Sequence, residues 1–223
     1  NKERLRGIVI THGHEDHIGS LAYLLKKVNV PIYGTRLTLG LVEGKLKEHN
    51  LLSQASLNVV VPRQQVKLGC MSVEFIRVNH SIPDACAMAI HTPAGIIVHT
   101  GDFKIDYTPI GGEIMNLQRI AQIGREGVLL FVCESTNIEV PGFSKSERHV
   151  GESMADMFKD AQGRIFVATF SSNVSRLQQI FTAAERHGRK VALVGRSMLN
   201  VFNAANNLGY IQMKPDTLIE ASQ

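Results

Sequence analysis

Gly7-Ile8-Val9-Ile10 is an apolar run bounded by polar residues, the pattern of a buried strand. A polar loop runs from Thr11 to Asp16. Ile18, Leu21, Ala22, Leu25 and Val28 then recur at helical spacing, and Asn29 and Pro31 end that helix. The pattern next predicts a short strand over 30–33 and a helix over 38–49. Between 57 and 100 it is mostly β: stretches 58–61, 65–68 and 72–79 alternate or run apolar. Stretches 85–91 and 95–100 flank Thr92-Pro93-Ala94-Gly95, a hairpin turn signal.

The period changes after Gly111. Helices are predicted over 113–123, 147–161, 174–187 and 197–207, with buried strands over 128–133, 164–169 and 190–194. Strands alternating with helices of that length imply parallel βαβ units. A β-rich, mixed part is therefore followed by a Rossmann-like part, with the joint expected in 135–143, where Pro141-Gly142 breaks the pattern. There is no internal repeat and no low-complexity tract.

The chain has 223 residues, 44% of them apolar and 20% charged, with a mean hydropathy of +0.00. That composition can bury a core, and it excludes a collagen-like, mucin-like or disordered chain. No apolar run approaches the roughly 20 residues of a membrane span, so no membrane association is expected. The first residues, Asn1-Lys2-Glu3-Arg4, carry no apolar signal-peptide region and no initiator Met, so the sequence reads as an internal piece of a longer chain. Lys and Arg number 24 against 20 Asp and Glu, a mildly basic balance that permits an anionic partner without requiring one. Cys70, Cys86 and Cys133 are scattered among apolar neighbours with no CxxC pair, which fits a reducing cytoplasm and buried thiols.

The decisive feature is His12-Gly13-His14-Glu15-Asp16-His17, three imidazoles and two carboxylates in the loop between a strand and a helix. Imidazole and carboxylate suit Zn²⁺ and Mn²⁺. In such a loop His12 and His14 can point one way, leaving Asp16 and His17 to serve a second ion. A polar loop with coincidental histidines is the competing reading, and the density of ligands argues against it. His80 and Asp102 each follow a predicted strand beside small residues. Either alone would be bland; their conjunction with the cluster gives them weight.

His-x-His-x-Asp-His followed by a strand-end His and a strand-end Asp resembles the metallo-β-lactamase superfamily. The resemblance implies that His12, His14 and His80 hold one metal, that Asp16 and His17 help hold a second, and that Asp102 bridges both. Two such ions generate a nucleophile from water at neutral pH and offset charge on an oxyanion. Zn²⁺ is the first expectation for both, with Mn²⁺ the alternative. Lactamases and glyoxalase II-like hydrolases supply a last histidine after the bridging Asp. Here His149 and His187 follow, both within predicted helices, and neither suits a ligand. Instead the strand over 128–133 ends in Glu134-Ser135-Thr136-Asn137, which resembles the first motif of the β-CASP nucleases. Together with His80-Ser81-Ile82-Pro83-Asp84, Asp102-Phe103-Lys104, Ala168-Thr169-Phe170-Ser171-Ser172-Asn173 and Gly195-Arg196-Ser197-Met198, the chain resembles the bacterial ribonuclease J family along essentially its whole length.

That resemblance implies an α/β chain: a partial αββα sandwich of metallo-β-lactamase type over 1–137, then the start of an inserted Rossmann-like β-CASP domain over 138–223. It implies cytoplasmic RNA cleavage, both endonucleolytic and 5′→3′ exonucleolytic, by a dimer or tetramer. Asp16, His17, Asp102 and Glu134 are the expected catalytic residues. Glu134 would accept a hydrogen bond from a metal-bound histidine, or else be an ordinary loop carboxylate. The turn Ser171-Ser172-Asn173, with Arg176 and Arg196, would touch RNA phosphate; helix capping by Ser and Asn and a solvated arginine explain the same residues equally well. Asp84, Ser81 and Thr100 are candidates to hold metal ligands by hydrogen bonds. Glu15 is expected to face solvent, and His49, His91 and His99 to be structural. Two other functions compete: a hydrolase of small thioesters or lactams, disfavoured by the missing downstream His, and a metal-free RNA-binding homologue, disfavoured by the intact cluster.

Overall fold

The computed structural model describes residues 2–221; Asn1, Ser222 and Gln223 at the ends of the two expected domains lie outside them. Strands β1 (Ile8–Val9), β2 (Ile32–Gly34) and β3 (Leu57–Val59) form a parallel sheet in which Ile8 faces Ile32 and Ile32 faces Leu57. Between β1 and β2 run the short helices α1 (Glu15–Ile18) and α2 (Leu21–Leu25), and between β2 and β3 runs α3 (Arg36–Glu48). The single helix expected from Ile18 to Val28 is thus split, with the break at Gly19-Ser20, two residues of low helix propensity.

A second sheet follows. Strands β4 (Gln65–Leu68), β5 (Met71–Arg77), β6 (Cys86–Thr92) and β7 (Gly95–His99) form an antiparallel meander. After the crossover helix α4 (Leu117–Glu126), β8 (Val128–Val132) pairs parallel to β7. The two sheets pack face to face through Val9 and Tyr33 on one side and Val66, Phe75 and Met88 on the other. Helices α2 and α3 bury Leu25, Leu37 and Val42 on the outer face of the first sheet with Ile32. Ile120 and Ile123 of α4 cover Ile76, Ala87 and Val98 on the outer face of the second. This is the expected αββα layering.

Three expectations are corrected. The apolar run over 128–133 reads as a buried strand, yet Leu129 and Phe131 are 62% and 58% exposed, because β8 is the edge of its sheet with only β7 beside it. Cys86 is buried, but Cys70, in the β4–β5 turn, and Cys133, just past the edge strand, are exposed. The helix expected over 113–123 begins later, where the Asn116 side chain accepts a hydrogen bond from the Arg119 amide and caps α4.

The C-terminal part comprises α5 (Glu147–Asp160), α6 (Val174–Arg186), β9 (Val191–Ala192), α7 (Arg196–Asn207) and β10 (Leu218–Ile219), with β9 and β10 parallel. The strand expected over 164–169 is absent: no ladder among the described residues pairs with it, and Phe166 is 91% exposed. Phe158, Leu177, Phe181 and Phe202 form the local core. It is continuous with the α2–α3 layer, so one apolar cluster spans both parts of the chain. Gly40 on α3 permits that contact, since a Cβ there would lie 2.7 Å from Leu208 Cδ1.

Candidate metal centre

His12 to His17 leave β1 and enter α1, and the surrounding packing dictates their course. A Cβ on Gly13 would come within 2.7 Å of Leu41 Cδ1 and 3.3 Å of Thr38 Cα, so glycine lets the loop lie this close to α3 without displacing the Leu41 side chain. Gly101, just before Asp102, has φ +58 and would place a Cβ 3.0 Å from Thr11 Cβ, so it allows the Asp102 loop to approach the His12 strand. His80 lies in the β5–β6 loop and Asp102 just beyond β7.

These segments converge on one point. His14 Nδ1 lies 3.1 Å from His12 Nε2 and 3.0 Å from His80 Nε2. Asp102 turns Oδ2 toward this group, 3.7 Å from His12 Nε2 and 3.9 Å from His80 Nε2, and its Oδ1 the other way, 3.5 Å from His17 Nε2. Asp16 Oδ2 stands 3.6 Å from the same His17 nitrogen. Two donor groups result, His12–His14–His80–Asp102 and Asp16–His17–Asp102, sharing one carboxylate.

Burial and crowding keep the imidazoles neutral. His12 is fully buried, and desolvation, followed by the neighbouring His17, His80 and His14, lowers its pKa to about 2. Desolvation and then His80 lower His14 to about 4, against the partial support of Asp16 and Asp102. His80 is lowered by burial too, with Asp102 and Glu134 opposing. Neutral imidazoles present free lone pairs, the form a metal requires. Their spacing also fits: tetrahedral ligands about 2.05 Å from a Zn²⁺ stand about 3.3 Å apart, close to the 3.0 and 3.1 Å seen between the histidine nitrogens. The donor set therefore suits a divalent metal ion.

The supporting contacts differ in part from expectation. Ser81 Oγ lies 2.9 Å from His14 Nε2, as anticipated. Thr100 instead donates to the Gly101 carbonyl and accepts from the Glu134 amide. Among the described residues Glu134 makes no hydrogen bond to a histidine: Oε1 accepts from the Phe103 amide at 2.9 Å and Oε2 from the Thr136 amide at 3.1 Å, so it fixes the backbone next to Asp102. Asp84 reaches no ligand; it accepts from the Leu37 amide and the Tyr210 hydroxyl. Two supports went unassigned in the sequence. The Thr11 hydroxyl sits 3.1 Å from His12 Nδ1. Asn79 clamps the loop after Asp102, accepting from the Met115 amide and donating to the Glu113 carbonyl, while its own carbonyl accepts from the Lys104 amide. Each immediately precedes a metal-type histidine, the one signal that could have marked them.

The second-tier residues lie apart from this centre. Asn173 caps α6 by accepting from the Arg176 amide, and Arg176 Nε donates to Glu147 Oε1 at 2.6 Å, so capping and an ion pair engage both. Ser171 and Ser197 hydroxyls are 2.8 Å apart at the starts of α6 and α7, with Ser172 between Ser171 and the cap; Arg196 is exposed and makes no ion pair among the described residues. Glu15 is exposed, as expected, but bonded to Lys45 on α3. His91 lies 3.8 Å from the buried Glu74, His99 accepts from the Gly101 amide, and His49 packs edge-on to Tyr23. Beside His80, a cavity of about 150 Å³ is lined by Ser81, Lys104, Asp106, Glu147 and Ser175, between the two parts of the chain. No helix among the described residues is long and apolar enough to cross a membrane.

The family comparisons agree with this geometry. Residues 1–112 match the metallo-beta-lactamase superfamily model, and residues 162–223 match the ribonuclease J beta-CASP domain model. The chain is 51% identical to Ribonuclease J of Synechocystis sp. over 98% of its own length and 34% of that protein's. It is 46% identical to Ribonuclease J 1 of Streptococcus pyogenes serotype M3 over 100% of its own length and 40% of that protein's. The chain thus spans between a third and two-fifths of these relatives. The fold is shared with a protein of unknown function from Enterococcus faecalis V583, at a TM-score of 0.65 and 17% identity over 98% of this chain and 55% of that one. With half its length matched by that superfamily model and its strand-end ligands gathered at one centre, the chain belongs to the metallo-β-lactamase superfamily, on the branch carrying a ribonuclease J β-CASP domain.

Proposed function

We propose that the protein containing this chain is a metal-dependent ribonuclease that hydrolyses RNA phosphodiester bonds, internally and from the 5′ end, in RNA processing and decay. The observation that carries the reading is the shared Asp102 carboxylate, with Oδ2 toward His12 and His80 and Oδ1 toward His17. The identity to ribonuclease J relatives along the whole chain supports RNA as the substrate. In this reading residues 1–137 carry the centre and 138–223 begin the β-CASP domain.

Two divalent ions, Zn²⁺ in the first instance and Mn²⁺ as the alternative, would supply a nucleophile from water at neutral pH and offset charge on the phosphate oxygens. The residues have separate tasks. His12, His14 and His80 would hold the first ion, Asp16 and His17 would help hold the second, and Asp102 would serve both. Glu134 keeps Asp102 in place through the Phe103 amide. The cavity beside His80 admits the RNA backbone, and Ser171, Ser172, Asn173 and Arg196 meet it on the C-terminal part, with Arg176 behind them. The attacking oxygen joins phosphorus as the P–O3′ bond breaks, leaving a 5′-phosphate and a 3′-hydroxyl. A cytoplasmic location and a dimeric or tetrameric assembly complete the reading, supported by the sequence resemblance.

The test uses the full-length protein and one RNA bearing either a 5′-monophosphate or a 5′-triphosphate, with and without chelator. Chelator-sensitive release of mononucleotides from the monophosphate RNA supports the exonuclease, and internal cuts on both RNAs support the endonuclease. No cleavage by protein holding its metals would overturn the reading in favour of a small-molecule hydrolase.

A further inference from the structure

Asp84 is a buried carboxylate four positions after His80, 8% exposed, and the metal centre does not use it. Its Oδ2 accepts two hydrogen bonds, from the Leu37 amide in the first turn of α3 at 2.7 Å and from the Tyr210 hydroxyl at 3.1 Å. Tyr210 follows α7, with its amide donating to the Ala205 carbonyl, so it belongs to the C-terminal part. Burial and the facing carboxylate raise the Tyr210 pKa, which keeps the phenol a donor.

The segment between the two functional ends is short and closed. The Val78 amide donates to the Ala85 carbonyl and the Ala85 amide to the Ile82 carbonyl, with Ile82 fully buried beneath. On one side of this loop His80 and Ser81 both meet His14, at 3.0 and 2.9 Å. On the other, Asp84 is held by α3 and by Tyr210. The loop runs directly on to the Cys86 amide, which donates to the Thr11 carbonyl next to His12. A shift of Asp84 therefore has little slack to absorb it before it reaches His80. The other side-chain oxygen, Asp84 Oδ1, is buried with no hydrogen-bond partner among the described residues, so the loss of a bond on Oδ2 would be felt strongly at this carboxylate.

We propose that the Tyr210–Asp84 hydrogen bond is a strut by which the C-terminal part positions the His80 loop, making Tyr210 a positioning residue for the metal centre. The inference rests on the metal-binding reading of that centre, and the experiment separates the two. Zn²⁺ and Mn²⁺ affinities of the full-length protein and its Tyr210→Phe variant are measured by competition with a chromophoric chelator, alongside the melting temperature of each metal-free protein. Changes to residues supporting a metal ligand cost about 10- to 100-fold in affinity. Acting through a loop, Tyr210→Phe is expected at the lower end, about tenfold, with cleavage recovering at saturating metal. Tyr210→Phe affinity within twofold of the unchanged protein overturns the strut, even if the metal-free melting temperature falls, because that result describes a merely structural bond. Absence of metal binding by the unchanged protein overturns the underlying reading instead. Should Tyr210→Phe fail to fold, Asp84→Asn and Asp84→Leu replace it: the amide oxygen still accepts both bonds. Asp84→Asn is expected to bind metal more tightly than Asp84→Leu, and equal losses would overturn the proposal.

Discussion

His12 Nε2 lies 3.7 Å from Asp102 Oδ2, although the two residues leave different sheets of the sandwich. The contact exists because β1 and β7 end at the same edge of the two layers and Gly101 lets the segment after β7 turn against Thr11. The shared carboxylate is consequently the most sensitive point of the centre. Asp102→Ala removes a donor from both groups at once, and His80→Ala removes one from the first group alone. The expected outcome for Asp102→Ala in the full-length protein is loss of more than about 100-fold in metal affinity, beyond the range for supporting residues, with cleavage abolished. His80→Ala should also abolish cleavage while leaving residual metal at the Asp16–His17 group. Elemental analysis of the purified variants, with circular dichroism to verify folding, checks both; turnover by a metal-loaded variant would contradict the ligand assignment.

Acid should weaken the metal-free protein in a defined window. Burial lowers the pKa of His12 from 6.5 to about 2 and of His14 to about 4. A lowered folded-state pKa means the unfolded chain takes up protons first. Between pH 6.5 and about 4 the unfolded chain carries more protons, and stability falls as pH falls, by about 1.4 kcal/mol per pH unit for each imidazole. Chelator-treated protein should therefore lose melting temperature steadily from pH 6.5 to 4. A His12→Gln variant should show a shallower decline; an equal slope would mean that His12 does not titrate this way.

The ligand set was legible in the sequence because its residues carry their chemistry in their identity. Four of them lie within six consecutive residues, and His80 and Asp102 follow strands that the period-two pattern marks. The alternation alone marked a β-rich, mixed part followed by βαβ units; the αββα layering was legible only through the family resemblance. What escaped was whatever depends on a neighbour across space. The apolar run of β8 cannot announce that it forms an edge, and an apolar stretch such as 164–169 becomes a strand only if another strand lies alongside it. Glu134 looked like a histidine partner because its position after a strand is known from sequence, whereas the Phe103 amide that takes its carboxylate is set by the turn after Asp102. Asp84 was noticed beside His80, but its true partners, Leu37 and Tyr210, lie in other layers.

Away from the centre, Arg119 on α4 grips Glu74 on β5 through two parallel hydrogen bonds, Nε to Oε1 and Nη2 to Oε2, both 2.8 Å. The Glu74 side chain is 5% exposed, and the Arg119 bond is the leading influence lowering its pKa. Removing the guanidinium would leave a buried carboxylate with the His91 ring, 3.8 Å away, as its remaining ion-pairing neighbour among the described residues. Arg119→Met should therefore destabilise by about 3 kcal/mol, the lower end for breaking a buried pair, with metal affinity unchanged. Urea unfolding and a metal titration check the two halves of this prediction. Because the pair holds Glu74 ionised, the same protein should lose its contribution only in acid, as pH falls below the ordinary glutamate value of 4.5 and through the lowered one.

Arg176 and Arg196 stand near the two helix starts, yet the structure gives them different work. Arg176 Nε donates to Glu147 Oε1 at 2.6 Å, and Glu147 also accepts from Gln179 and faces Lys104, so Arg176 ties α6 to α5. Arg196 is exposed at the first residue of α7 with no ion pair among the described residues. A cation held by a carboxylate has less to offer a phosphate than a free one. Arg196→Met should weaken RNA binding across sequences and reduce the slope of log affinity against log salt by about one, with little change in melting temperature. Arg176→Met should instead lower the melting temperature and leave the salt slope close to that of the unchanged protein. Both are read by fluorescence anisotropy on single-stranded RNA in an Asp102→Asn background, which removes cleavage from the measurement. Equally reduced salt slopes for the two variants would place both arginines on the RNA, and equally unchanged slopes would place neither there; either result sets aside the distinction.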